Sequence, residues 1–255
     1  MAFQATQRFS PTYYDSSPGL HWLLIEHYGM PDQIVPVQRE ALRLCGSTVL
    51  TVEEAMRQVD LPHRHRALDL GCAVGAGVFK LRRYFDHVVG IDLSNSQLAQ
   101  ARALQRARAT SVTWTEAGFE PRTCLVRLAD DVMTGGIEFR EADIYALPAD
   151  LGVFDLVIMN KVLECLPDPE RCMGQMPGLV APGGYFVHVS SYRWSPEFTP
   201  PEKQLGTPAR AQAQLDELLS PHFTLERRFK VPFMIESDPT WFCYGVAEAL
   251  LWKRR

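Results

Sequence analysis

The stretch Arg66-Ala-Leu-Asp-Leu-Gly-Cys-Ala-Val-Gly-Ala-Gly-Val-Phe79 decides the fold. A short apolar run broken by one acid, Ala67-Leu68-Asp69-Leu70, passes into small residues and then into a helix-like pattern. Gly71, Gly75 and Gly77 let the backbone turn sharply and let a ligand approach where a side chain would block it. A helix beginning near residues 74–77 points its first N–H groups at that ligand. Strand, glycine turn and helix in this order open a nucleotide-binding βαβ unit. The spacing Asp-Leu-Gly-Cys-Ala-Val-Gly is nevertheless not the dinucleotide pattern G-x-G-x-x-G. A second acid, Asp92, closes the next apolar run, His87-Val-Val-Gly-Ile-Asp92, 23 residues after Asp69. This pairing suits a ligand that joins a nucleoside to an amino-acid ammonium, S-adenosylmethionine, better than one built on a pyrophosphate.

Outward from that stretch, strands and helices alternate, which predicts a parallel sheet covered on both faces. Strands are expected near 66–70, 87–92, 137–141, 153–159 and 184–190, with helices near 76–85, 95–108 and 168–176. Ser94 is placed to cap the second of these helices. A last helix starting at Thr207-Pro208 precedes two strands, 223–231 and 242–252, expected as antiparallel neighbours at the sheet edge. Residues 109–136 are irregular, and a connection of that length predicts a small hairpin near the cofactor's edge. Before the sheet, Ser16-Ser17-Pro18 starts a helix that Gly29-Met30-Pro31 stops, and further helical stretches are expected at 37–44 and 52–59. The chain thus divides into an N-terminal helical cap, 1–62, and an α/β domain, 63–255.

The 255 residues suffice for one large domain or a core domain with an appended element. Apolar content of 46% and charged content of 22% are ordinary for a soluble protein. A net charge of −4 gives no electrostatic reason for nucleic-acid binding. No apolar run approaches the roughly 20 residues that span a bilayer, and the N-terminus lacks the regions of a signal peptide. The six cysteines are spread without a C-x-x-C pair, so neither a disulfide framework nor a zinc site is expected. The reading is a reduced, cytoplasmic protein without a metal.

Chemistry-bearing residues collect at the predicted strand ends. Asp69 either orients the loop and helps hold the ligand's ammonium or caps loop amides, with Gly71, Cys72, Ala73 and Gly75 forming the loop itself. Asp92 offers two acceptor oxygens to a vicinal ribose diol, or else caps the helix after Ser94, and Leu93 follows it. Ala142-Asp143-Ile144, after the third strand, puts an acid where an adenine amino group would lie. Asn160 ends the fourth strand where donor and acceptor meet, unless it serves as a cap. Lys161 and Glu164 next to it either line an acceptor pocket or face solvent.

Over residues 66–190 this constellation resembles the class I S-adenosylmethionine-dependent methyltransferases. The resemblance implies a Rossmann-like, seven-stranded, mostly parallel sheet whose last strand is antiparallel. It departs from the usual loop in having Ala73 where a central glycine is expected. A closer resemblance covers nearly the whole chain. Tyr13-Tyr14-Asp15 with His27-Tyr28-Gly29, Leu68–Gly75, Ser191-Tyr-Arg-Trp194 with Glu197-Phe-Thr-Pro200, and Val246-Ala-Glu248 with Trp252 look like the methyltransferase domain of ovothiol-biosynthesis enzymes. That family methylates a ring nitrogen of 5-mercaptohistidine and is often fused to a sulfoxide synthase, which would here be a separate partner. Gln204 stands where a tryptophan is expected before Leu205-Gly206, which keeps 5-selenohistidine open as an acceptor.

The resemblance implies S-adenosylmethionine as cofactor, S-adenosylhomocysteine as product, and an in-line approach of an unprotonated ring nitrogen to the methyl group. Tyr13, Tyr14, Tyr192 and Trp194 are candidates to hold the acceptor ring, or are core packing. Arg193 is a candidate for the acceptor carboxylate, or faces solvent. His27 or Tyr14 is a candidate to take a proton from the ring, with Asn160 beside the reacting atoms; Glu26 and Glu164 are weaker candidates for the acceptor ammonium. The N-terminal cap is expected to build the acceptor site while leaving cofactor binding to the sheet.

Overall fold

A computed structural model describes residues 15–28, 46–115, 119–238 and 241–255. Tyr13, Tyr14 and the helix expected at 37–44 lie outside the described residues. Seven strands form one sheet: β1 (Arg66–Leu70), β2 (His87–Asp92), β5 (Ile137–Glu141), β6 (Phe154–Asn160), β7 (Val180–Ser190), β8 (Phe223–Asp238) and β9 (Trp241–Arg254). Their order is β5-β2-β1-β6-β7-β9-β8, and a separate antiparallel hairpin joins β3 (Ala109–Trp114) to β4 (Arg122–Arg127). β1, β2, β5, β6 and β7 pair in parallel; β9 inserts antiparallel between β7 and β8. This is the Rossmann-like, seven-stranded, mostly parallel sheet with a single reversed strand that the resemblance implies.

The central strands read as near-continuous apolar runs because both faces are covered. One face carries Ala67, Ile158, Tyr185, Val187 and Leu251 against helices α1 (Ser17–Tyr28), α2 (Ser47–Gln58), α3 (Ala76–Leu81) and α4 (Asn95–Ala107). Leu23 and Leu24 of α1 and Val52, Ala55 and Met56 of α2 share that core, so the N-terminal helices pack as part of the sheet's own layer. The other face carries Leu68, Val157, Phe186 and Trp252 against α5 (Pro169–Met173), α6 (Met176–Leu179) and α7 (Pro208–Leu219). The single helix expected over 168–176 is broken into α5 and α6 by Gly174 and by Pro177 in the first turn of α6. Ser94 caps α4 as expected, accepting from Gln97 N at 3.3 Å.

Register shows where the molecule extends. β7 ends at Ser190 paired with Glu248, but β8 and β9 continue to pair from Val231↔Ala247 out to Asp238↔Trp241. The last two strands are therefore longer than the apolar pattern predicts, and they project as a two-stranded ribbon past the carboxyl end of β7. Among the described residues, no helix is long and apolar enough to cross a membrane.

Candidate active site at the strand ends

The loop after β1 is held by the end of β2. Gly71 N and Cys72 N both donate to the Ile91 carbonyl, at 2.8 and 3.0 Å. Ala73 N donates to Asp92 Oδ2 at 2.8 Å and Ser94 N to Asp92 Oδ1 at 2.9 Å, so one carboxylate ties the glycine loop to the start of α4. Burial raises the Asp92 pKa from its ordinary value, and the bonds from Ser94 and Ala73 oppose that rise. Each oxygen retains lone pairs for a ligand's hydroxyls. Ala73 adopts φ 49°, the left-handed conformation usually given to glycine, which carries about 1–2 kcal/mol of strain for an L-residue. The alanine thus keeps the glycine-like turn under strain.

Asp69 is only 4% exposed, and no hydrogen bond reaches its carboxylate from the described residues. Gly77 at the head of α3 makes this possible: a Cβ there would run into Asp69 Oδ2. Burial, with the neighbouring Asp92 charge second, pushes the Asp69 carboxyl from an ordinary 3.8 to about 7. A buried carboxylate without a donor is suited to receive a cation, and these residues fit a ligand ammonium better than an anion. Beyond Asp92, Leu93 stands 71% exposed, an apolar surface at a strand end where a flat base can pack. On the adjacent strand, Ala142 N bonds the Asp92 carbonyl at 3.1 Å, while Asp143 Oδ1 accepts from Tyr145 N at 2.9 Å and shapes its own turn. Ala142 and Ile144 pack against the second core. Among the described residues no His, Cys, Asp or Glu cluster is arranged for a metal.

At the end of β6 the start of α2, to which the sequence reading gave no site role, meets Asn160 and Lys161. Asn160 Nδ2 donates to Thr48 Oγ1 at 3.3 Å, and Lys161 Nζ donates to Ser47 Oγ at 3.1 Å. Asn160 Oδ1 is buried with no partner among the described residues. Lys161, at φ 58°, holds its ammonium 4.9 Å from the centre of the Phe233 ring on the β8–β9 ribbon. Asn160 and Lys161 thus stand together beside the loop and Asp69. The signal available for α2 was Gly46-Ser47-Thr48, a helix start, but nothing local said that this start faces β6.

α1 also reaches the cofactor loops. Tyr28 Oη donates to the Val74 carbonyl at 2.5 Å, and Asp15 accepts from the hydroxyls of Ser94 and Ser96. His27 packs its ring 6.2 Å from that of Tyr28. The N-terminal segment, expected to build the acceptor site, thus also touches the loops after β1 and β2.

Three of the expected acceptor residues are not brought to this site. Glu164 is 8% exposed, and its carboxylate accepts from Ser190 Oγ, Ser191 N and Ser191 Oγ at 2.7, 3.0 and 2.9 Å. It fastens the turn after β6 to the end of β7 rather than facing a ligand. Tyr192, at φ 53°, is turned by a bond from its N to Ser190 Oγ, and its ring lies in the second core, 6.0 Å from His188. Trp194 packs on the same core and donates Nε1 to the Gly206 carbonyl at 2.8 Å. Both rings therefore lie on the sheet face opposite the one that Asp69 shares with α1, α2 and α3. Arg193 between them is exposed. Gln204 folds back onto the Thr199 carbonyl at 2.9 Å, so the departure at this position falls in a structural loop.

Residues 68–188, just under half of the chain, match a family profile described as a methyltransferase domain. Methyltransferase GfsG of Streptomyces halstedii is 26% identical over 189 residues, 71% of this chain and 57% of that protein. Demethylmenaquinone methyltransferase of Thermus thermophilus is 31% identical over 158 residues, 56% of this chain and 57% of that protein. The chain spans about half the length of the curated relatives it matches. Among solved structures, magnesium protoporphyrin IX methyltransferase from Synechocystis aligns over 100% of both chains, with a TM-score of 0.55 at 16% identity. Residues 68–188 are thus similar to a methyltransferase domain, and the fold is one shared with that solved structure.

Proposed function

We propose that this protein is an S-adenosylmethionine-dependent methyltransferase that acts on a ring nitrogen of 5-mercaptohistidine. The cofactor half is carried by one arrangement: a buried Asp69, with no donor among the described residues, stands across the glycine loop from Asp92 at the next strand end. The matched methyltransferase domain and the methyltransferase relatives support it independently. Asp92 would hold the ribose, Leu93 and Ala142–Ile144 the adenine, and Asp69 with the 71–75 loop the amino-acid end.

When bound, S-adenosylmethionine supplies an electrophilic methyl group, and the chain's residues have to present a nucleophile in line with it. Asn160 and Lys161 stand at the strand end where that approach is made. The Lys161 ammonium favours the anionic form of a sulfur or selenium substituent. His27 is the candidate to accept a proton from the ring. The acceptor half rests on the resemblance of the flanking segments, Tyr13–Asp15, His27–Gly29, Ser191–Pro200 and Val246–Glu248, to ovothiol-biosynthesis methyltransferases. In this reading residues 1–62 are a substrate-binding extension of a methyltransferase domain of residues 63–255. The protein works in the cytoplasm on the product of a separate sulfoxide synthase. A second reading, methylation of a larger apolar acceptor, draws on the ribbon, whose Val231, Phe233 and Met234 share an apolar core with α2.

Incubation with methyl-labelled S-adenosylmethionine and a panel of 5-mercaptohistidine, 5-selenohistidine, histidine and a quinol separates these readings. Label on the ring nitrogen of 5-mercaptohistidine is expected. Label in the quinol alone, or in none, would overturn the acceptor assignment.

A further inference from the structure

The loops on either side of Asp69 and Asp92 are contacted by a helix that lies outside the matched domain. Tyr28, the last residue of α1, donates Oη to the Val74 carbonyl at 2.5 Å, and its ring meets Phe79 edge-on at 6.3 Å. At the other end of α1, Asp15 accepts from Ser94 Oγ and, at 3.1 Å, from Ser96 Oγ, just past Asp92. The helix therefore spans the gap between the two acid-bearing strand ends. Burial, followed by the charges of Cys72 and Asp69, holds the Tyr28 phenol well above its ordinary pKa, which keeps it a donor to Val74.

We propose that Tyr28 is a positioning residue for the cofactor: it ties α1 to the glycine loop and roofs Asp69, so that the N-terminal helix completes the compartment that receives the ligand's ammonium. This rests on the S-adenosylmethionine reading above. Among the described residues, the titratable groups facing Asp69 are Tyr28 from α1, Cys72 from the loop and Asp92 from β2. α2 contributes Thr48 and α3 contributes Gly77, neither of them charged. With no cation present, none of these described groups favours the ionised carboxyl. When an ammonium enters, Asp69 releases its proton to solvent and the carboxylate pairs with the ligand. Removing the roof admits water, which stabilises the carboxylate before any ligand arrives.

Calorimetric titration of S-adenosylhomocysteine into the full chain tests this, with 5′-methylthioadenosine, which lacks the ammonium, as the control ligand. For the unsubstituted protein, affinity for S-adenosylhomocysteine is expected to rise about tenfold from about pH 6 to about pH 8, because a carboxyl near 7 titrates across that range. The control should change by less than about twofold. Tyr28→Phe keeps the ring but loses one hydrogen bond; affinity should weaken about fivefold with the pH ratio retained. Tyr28→Ala should reduce that ratio to about twofold or less, since a hydrated Asp69 is already ionised at both pH values. Circular dichroism melts confirm that each variant is folded, and Tyr28→Phe stands if Tyr28→Ala does not fold. Wild-type affinity in Tyr28→Phe would overturn the proposal, and so would weakened binding by Tyr28→Ala with the tenfold ratio intact. Saturable binding without pH dependence in the unsubstituted protein overturns the roof alone. Absence of any binding overturns the cofactor reading as well.

Discussion

Replacing Asp69 by asparagine should make the ligand-free protein more stable at alkaline pH while weakening its hold on the cofactor. The carboxyl is raised from an ordinary 3.8 to about 7 in the folded state, chiefly by burial and then by the Asp92 charge. Between those values the folded protein keeps a proton that the unfolded chain has released. Stability therefore falls as pH rises through that window and levels off above about pH 7. A separation of about three units corresponds to about 4 kcal/mol at full development, of which about 2 kcal/mol is already present at about pH 5.5. Asparagine cannot ionise, so its stability relative to the unsubstituted protein should grow by about 2 kcal/mol from about pH 5.5 to about pH 8. Any constant penalty for burying the amide cancels in that difference. With a urea slope of about 3 kcal/mol per molar, the gap between the two unfolding midpoints widens by about 0.7 M. Urea titrations of both proteins at the two pH values measure it. Midpoints that move in parallel would refute the reasoning, because Asp69 would then carry no uncompensated charge in the folded state.

Other consequences are smaller or more local. Ala73→Gly relieves a left-handed alanine and should raise stability by up to about 1 kcal/mol in chemical denaturation, and a loss of stability would mean that the methyl group is packed rather than strained. Glu164→Gln exchanges a carboxylate with three donors for an amide and should lower stability by about 1–3 kcal/mol, with cofactor affinity within about twofold of normal by calorimetry. A bulky Cβ is not tolerated over Asp69: Gly77→Val should abolish cofactor binding or folding, and a folded variant that binds normally would contradict the close approach of α3 to β1.

Much of this site was legible because local rules and tertiary demands agree there. β1 and β2 are bounded as their apolar runs predict, since strands covered on both faces leave little room for polar residues away from their ends. β5, the edge strand Ile137–Glu141, keeps its expected bounds with Phe139 alone buried. The same rule put Asp69, Asp92 and Asn160 at one edge of the sheet. The hairpin in 109–136 was readable from the length of an otherwise unexplained loop. Tyr192 and Trp194 were not. Their side of the sheet is decided by a left-handed residue after Ser190 and by a carboxylate 26 positions earlier that grips Ser190 and Ser191. Ser190 Oγ supplies a local bond to Tyr192 N, but the carboxylate that fixes Ser190 and Ser191 comes from Glu164, far back in the chain. The roles of Tyr28, Ser47 and Thr48 depend on packing between α1 or α2 and strands far along the chain. The ribbon's length depends on pairing between β8 and β9 rather than on either strand's hydrophobicity.

The central claim, that the acid-bearing strand ends hold S-adenosylmethionine, is tested most directly by titrating S-adenosylhomocysteine into the full chain and into its Asp92→Ala variant. Asp92 ties the loop at Ala73 to the cap of α4 and is assigned the ribose. Saturable one-to-one binding to the unsubstituted protein is expected, with affinity at least about tenfold weaker in the variant, the loss of a charge-assisted hydrogen-bond pair. Equal affinity in the two proteins would contradict the ribose assignment, and no binding to either would contradict the site itself.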